Sequence, residues 1–209
     1  MTLRDTRRSG FKSQCAHRSN SGMWTGSSKK VIKTHAIIYN VSSIYIISGP
    51  PSVGKSTISK LIANALPRSA LISGDQVHHM IVGGHLPPWK DENRDNLTWQ
   101  NITELTKKFL DFDLDVVIDA VVFPDKVKSL LDSIGRGNVI SKYIILLADR
   151  SSLLQRDGER TESMGERCLV LLEEFSFLKP KPRNYLDTTS KSPEQIVRMI
   201  MQENPDFYS

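Results

Sequence analysis

Short β-branched apolar runs alternate along the chain with stretches whose apolar residues recur at helical spacing. Ile44-Tyr45-Ile46-Ile47-Ser48 predicts a first buried strand, and the segment from Thr57 to Leu66 predicts the helix after it. Ser69 to Ser73 predicts a second strand, Val116 to Val122 a third, Tyr143 to Ala148 a fourth and Asn184 to Thr188 a short fifth. Between the second and third strands, Gln76 to Met80 predicts a short helix and Asn96 to Leu110 an amphipathic one, joined by the Gly- and Pro-rich connection Val82 to Trp89. A last helix opens with Ser192 as N-cap, Pro193 at the first helical position and Glu194 in the first turn. Strand alternating with helix in this way predicts an α/β fold with a parallel sheet, whose ligands bind beyond the carboxyl ends of the strands.

The fold prediction applies to residues 41–209, because residues 1–40 differ in composition. The whole chain carries 28 basic and 23 acidic residues, a net +5. Eight of the basic residues (Arg4, Arg7, Arg8, Lys12, Arg18, Lys29, Lys30 and Lys33) stand before position 41 against the single acid Asp5, which leaves 20 basic and 22 acidic residues, a net −2, for the remainder. The basic balance thus belongs to the first 40 residues and does not make the α/β domain a nucleic-acid binder. Rich in Ser, Arg and Lys, that stretch predicts a disordered tail. It reads as a solvated extension, with Met23 or a later residue as the effective start; a transit peptide and an arm for nucleic acid or acidic lipid are the other readings.

The 209 residues contain no internal repeat, no apolar run long enough to span a membrane and no secretory apolar segment near the start, which predicts a soluble cytoplasmic protein, monomeric or homodimeric. Cys15 and Cys168 are too far from any second cysteine to suggest a zinc site, and read as incidental thiols.

Between the first strand and the first helix, Gly49-Pro50-Pro51-Ser52-Val53-Gly54-Lys55-Ser56 matches the phosphate-binding loop pattern G-x-x-x-x-G-K-S/T at every defined position. Each part has a mechanical role. The glycines let successive backbone N–H groups curl around an anion, the lysine reaches the outer phosphates, and the serine hydroxyl can take magnesium. A helix N-terminus directly after the loop adds its positive end, so the chain is expected to bind ATP with Mg2+.

Two carboxylates fall at strand ends where they can meet that loop. Asp75 stands two residues past the second strand, placed to accept a proton from a substrate hydroxyl or to cap the helix that follows. Asp119 lies inside an apolar strand, where an unpaired carboxylate is costly, so it requires a partner such as a metal or a serine. After the fourth strand, Arg156 and Arg160 are spaced to share one helical face, and Glu162 to Arg167 is a polar, Gly-containing stretch suited to a lid spanning 157–168. Guanidinium groups there can meet charge developing on a transferred phosphoryl group.

The order of these elements from Ile44 to Met201 resembles the nucleoside-monophosphate-kinase-like branch of P-loop proteins, with gluconate kinases and chloramphenicol phosphotransferases as the nearer likenesses and shikimate kinases more distant. The resemblance implies a three-layer fold, a five-stranded parallel sheet flanked by helices with a mobile lid. It also implies transfer of the γ-phosphoryl group of ATP to a small-molecule hydroxyl such as that of a sugar acid, a shikimate-like acid or an antibiotic. Carried onto this chain, it assigns the phosphates and magnesium to the loop and to Thr57, with Lys55, Asp75 and Arg160 catalytic and Ser56 and Asp119 around the metal. Arg156 would pack on adenine, Arg167 would be a further lid arginine, and the turn from Thr188 to Pro193 would close the adenine pocket.

Two departures stand out. Ser73-Gly74-Asp75 replaces the paired Asp-x-Asp of shikimate kinases, and the acceptor segment 76–112, with His78, His79, Gly83, Gly84, His85, Trp89 and Arg94, follows no acceptor-specific pattern. Adjacent in a helix, His78 and His79 face different ways, which argues for one packed and one solvated histidine rather than a metal pair. Trp89 and Trp99 can wall an acceptor pocket, or cover the core beside Leu97, Ile102 and Phe109. A kinase of nucleic-acid 5′-hydroxyls, a sugar-nucleotide kinase and a non-enzymatic ATP-binding module are the alternatives.

Overall fold

A computed structural model describes residues 41–202 apart from 85, 136, 138 and 179–183. The tail expected over residues 1–40, and His85, therefore lie outside the described residues. Five parallel strands, β1 (Ser43–Ser48), β2 (Ser69–Ser73), β3 (Asp115–Asp119), β4 (Ile140–Leu147) and β5 (Tyr185–Asp187), form one sheet in the order β2-β3-β1-β4-β5. The helices are α1 (Lys55–Ala65), α2 (Gly74–His79), α3 (Glu92–Asp111), α4 (Pro124–Ile134), α5 (Arg150–Gly158), α6 (Glu166–Phe177) and α7 (Pro193–Met201), with a 3-10 turn at Pro88–Lys90.

The strands read as continuous apolar runs because both faces of the sheet are covered. On β1, Ile44 and Ile46 enter a core with Val77, Ile102, Leu130 and Phe175, whereas Tyr45 and Ile47 enter a second core with Ile58, Ile62, Leu153 and Ile196. The architecture is the expected three-layer one. No helix among the described residues is long and apolar enough to cross a membrane.

Two of the boundaries that differ from the sequence expectation, and one whole element, have a clear local reason. β3 stops at Asp119, although the apolar run continues to Val122. Beyond Asp119 the Ser48 hydroxyl both donates to the Val122 carbonyl (2.8 Å) and accepts from its N–H (3.0 Å), replacing a strand partner with a side chain. α3 starts at Glu92 rather than Asn96, because Asp91 accepts from the Arg94 N–H as N-cap. α4 has no counterpart in the sequence expectation, yet its signals are present: Pro124 in the first turn, Val127, Leu130 and Ile134 buried along one face, and Gly135 closing the helix at φ 59°.

Candidate active site

β1 occupies the middle of the sheet, and its register with β3 sets Ile47 beside Asp119 while β2 sets Ser73 beside the same residue. The loop after β1 and the start of α2 after β2 are thereby brought to one edge. The chain leaves β1 at Gly49, φ 133°, where a Cβ would lie 2.2 Å from the Leu146 carbonyl oxygen of β4. Only glycine fits. Gly49→Ala is expected to cost about 3 kcal/mol or more through the clash and the strained backbone, and to abolish nucleotide binding. Thermal unfolding with and without nucleotide checks both effects, and wild-type behaviour in either measurement would count against this account of the loop.

Pro50, Pro51 and Val53 are buried and form the back of the loop, while Ser52 turns it through a left-handed conformation, φ 62°. Gly54, φ 101°, is the N-cap of α1, so Lys55, Ser56 and Thr57 supply the first free N–H groups of that helix. The first turn holds no acidic side chain to compete for an anion. Lys55 is half-buried and its Nζ donates to the Pro50 carbonyl (2.9 Å). Burial pushes its pKa down, and the carboxylates of Asp119 and Asp75 act in the opposite direction.

Asp119 is 8% exposed, and burial raises its pKa against a hydrogen bond from the Ser56 hydroxyl and the Lys55 charge. Serine is thus a partner that its strand position required. Ser56 and Asp119 together offer oxygen ligands from two elements. Among the described residues no cluster of three or more His, Cys, Asp or Glu could hold a metal ion. Two protein oxygens suit a magnesium ion that keeps waters and arrives with phosphate, not one caged by protein.

Asp75 does not cap α2. Ser73 takes that role, accepting from the Gln76 N–H (3.4 Å), and leaves the Asp75 carboxylate exposed on the wall of the main cavity. Gly74 allows this approach, since a Cβ there would lie 2.9 Å from Ala120 Cβ.

The arginines do not act as a pair on one helical face. α5 ends at Gly158, so Arg160 lies past it and donates to the Ser52 hydroxyl of the loop (3.1 Å). Arg156, within α5, donates to Thr188 Oγ1 (3.1 Å) and to the Thr188 carbonyl (3.0 Å). Thr188 is itself buried and donates to the Leu147 carbonyl (3.0 Å), so it holds Arg156 in place beside the loop. Arg167 sits on α6, 3.4 Å from Glu174 and over the ring of Trp89 at 5.2 Å.

Sequence reasoning missed Asp157. Only 2% exposed, it accepts from the Ser52 hydroxyl (2.7 Å), the Ser163 hydroxyl (2.5 Å), and the N–H groups of Met164 (3.0 Å) and Gly165 (2.9 Å), with Cys168 Sγ at 3.3 Å. Burial opposes its charge, but these hydrogen bonds prevail and hold its pKa far below the usual carboxylate range. One carboxylate therefore ties the phosphate loop to the turn between α5 and α6. Asp157→Asn is expected to cost about 2–3 kcal/mol, because several donors lose an ionised acceptor. Cys168, fully buried and pushed up to about 11 by burial and by Asp157, should become open to alkylation. Thiol labelling in a Cys15→Ser background and urea denaturation read the two effects; an unchanged labelling rate would remove Asp157 as the tie.

A cavity of about 580 Å³ joins these groups to the segment 76–112, lined by Gly54 to Thr57 and Asp75 together with Trp89, Trp99 and Phe123. His78 is buried, with Nδ1 at 3.1 Å from Thr98 Oγ1 and Nε2 at 2.8 Å from the Leu86 carbonyl, while His79 is exposed. His78 thus fastens the connection before α3 to the helix. Trp99 both lines the cavity and packs on the core.

A family model described as an AAA domain matches residues 44–176. No curated protein matches the chain in sequence. Among solved structures, a gluconokinase from Sinorhizobium meliloti 1021 is similar at 21% identity over 75% of this chain and 87% of its own, TM-score 0.54. The tunicamycin resistance protein of Deinococcus radiodurans is similar at 17% identity over 76% of this chain and 93% of its own, TM-score 0.55. The Mycobacterium tuberculosis APS kinase, solved with AMPPNP and APS, is similar at 12% identity over 76% of this chain and 95% of its own, TM-score 0.55. These likenesses establish a shared P-loop kinase fold.

Proposed function

The chain belongs to the AAA-domain family, and on that footing we propose that it is an ATP-dependent kinase that transfers the γ-phosphoryl group to a hydroxyl of a small molecule. The observation that carries this reading is the single cavity in which the phosphate loop, Asp75 and an aromatic-walled chamber meet. A module that only bound ATP would need the loop, but not a carboxylate and a chamber beyond it. Solved structures with the same fold include a gluconokinase and an APS kinase, which supports the same class of chemistry.

In this mechanism Asp75 orients the acceptor hydroxyl and takes its proton as the oxygen attacks the γ-phosphorus. The bond from phosphorus to the bridging oxygen breaks, and ADP leaves. Lys55 and Arg160 meet the charge that builds on the transferred group. The turn between α5 and α6, held by Asp157, covers the phosphates and keeps water from competing as acceptor. Arg156, fixed by Thr188, would pack on the adenine. Ser56 and Asp119 would hold magnesium, which when bound offsets phosphate charge.

The test is a screen for transfer of labelled γ-phosphate from ATP to hydroxyl-bearing metabolites and antibiotics, with Lys55→Ala as the control. A labelled acceptor that depends on Lys55 is the expected result. Binding of ATP without transfer to any acceptor would favour the regulatory alternative.

A further inference from the structure

Among the described residues, Lys126, Arg167 and Arg94 near the aromatic wall of the cavity are each matched by a carboxylate. Lys126 forms an ion pair with Asp95 and also lies in the field of Glu92. Arg167 pairs with Glu174 at 3.4 Å and covers Trp89. Arg94, which reaches Gly84 in the connection before α3, pairs with Asp91 at 2.9 Å. Both ring nitrogens of His78 are engaged by Thr98 and Leu86. Lys55 and Arg160 lie on the phosphate loop, at the donor end. Arg156, which also lines the cavity, is engaged by Thr188, and among the described residues the rest of the lining open to an acceptor is the carboxylate of Asp75 and a wall of Trp89, Trp99, Ile102, Phe123 and Leu171.

Such a chamber opposes a negative charge. An anionic acceptor would have to break one of these pairs and leave a carboxylate uncompensated, or lie near Asp75 with no cation of its own. Aromatic and aliphatic walls instead favour a flat or cyclic carbon frame, with a few placed polar atoms setting its orientation. Arg167 Nε is one such atom, a buried donor with no hydrogen-bond partner among the described residues. Its guanidinium charge is met by Glu174, so it can take a neutral carbonyl, ether or hydroxyl oxygen.

We infer that the acceptor is an uncharged alcohol built on a ring, and that sugar acids, shikimate-like acids and nucleotides are disfavoured. This inference rests on the kinase reading of the same site.

Matched pairs that share a carbon frame and differ in charge provide the test: shikimate and its methyl ester, mandelate and phenylethanediol, gluconate and glucitol. Binding is read from quenching of tryptophan fluorescence in the presence of a non-hydrolysable ATP analogue, and phosphate transfer is read separately with labelled ATP. The neutral ring-bearing members should bind about tenfold or more tightly than their charged partners. Asp95→Asn, which releases Lys126, should move that preference toward the charged members. Should that variant fold poorly, Glu174→Gln makes the same test from the opposite wall by releasing Arg167.

Preference of the wild type for the charged member of a pair overturns the inference. So does a failure of every neutral ring alcohol to bind while the ATP analogue still does. Neutral acceptors that bind without receiving phosphate count instead against the kinase reading, and leave the charge selectivity of the chamber standing.

Discussion

Lys55→Ala should abolish turnover, lowering the rate of phosphoryl transfer by roughly a thousandfold or more, while the fold survives. Lys55 is the first residue of α1, and its Nζ is held on the Pro50 carbonyl at the mouth of the loop. Burial disfavours its charge more than the carboxylates of Asp119 and Asp75 favour it, so an arriving triphosphate supplies the further negative charge that offsets this cost. The ammonium therefore gains most when phosphate charge is greatest, which is during transfer. Among the described residues no other cation repeats its position: Arg160 reaches Ser52 from outside the loop, and Arg156 is engaged by Thr188. Alanine also removes the stronger of the two lysine charges that favour ionised Asp119, leaving only Lys60, which raises the Asp119 pKa further and weakens any metal held there. Circular dichroism should remain native, and labelled-phosphate transfer should fall to background. A variant that kept roughly a tenth of the wild-type rate would mean that the loop does not grip the reacting phosphate.

What could be read from the sequence follows how local each signal is. The phosphate loop is eight consecutive residues with fixed chemistry, and Asp75 and Asp119 follow from their places at strand ends, so these were legible one by one. The adjacency of Arg156 and Thr188 was legible only through family resemblance, because it depends on β5 lying beside β4.

Asp157 was not legible. Its partner in the phosphate loop, Ser52, is 105 residues away, and within α5 Asp157 looks like one more polar residue of a helix end. The i, i+4 spacing of Arg156 and Arg160 misled for a related reason. Spacing predicts a shared face only while the helix continues, and α5 ends between them. α4 was legible in principle, since Pro124, Gly135 and the buried stripe of Val127, Leu130 and Ile134 carry ordinary helix signals. The pairing of Lys126 with Asp95 joins α4 to α3 and exists only in three dimensions. For that reason the charge character of the acceptor chamber could not be taken from composition.

Asp75→Asn should separate binding from chemistry, sparing ATP affinity while lowering the transfer rate by about a hundredfold to ten-thousandfold. The substitution removes a proton acceptor and one negative charge, and almost nothing else. α2 keeps its N-cap, because Ser73 fills that role, and the exposed carboxylate supports no packing. On the proposed reading ATP is held by the loop and the start of α1, none of which Asp75 builds.

The change in charge has a defined sign: without Asp75, Lys55 loses one of the carboxylates that favour its ammonium form, and Asp119 loses a like-charged neighbour. These effects oppose one another at the metal and phosphate, so nucleotide affinity should stay close to wild type. If Asp75→Asn instead weakened nucleotide binding as much as turnover, the carboxylate would belong to the metal and phosphates, and the acceptor would be activated by another group. Near-wild-type transfer would remove Asp75 as the base altogether. The pairing of normal ATP binding with lost transfer is the outcome that only an acceptor-facing base produces.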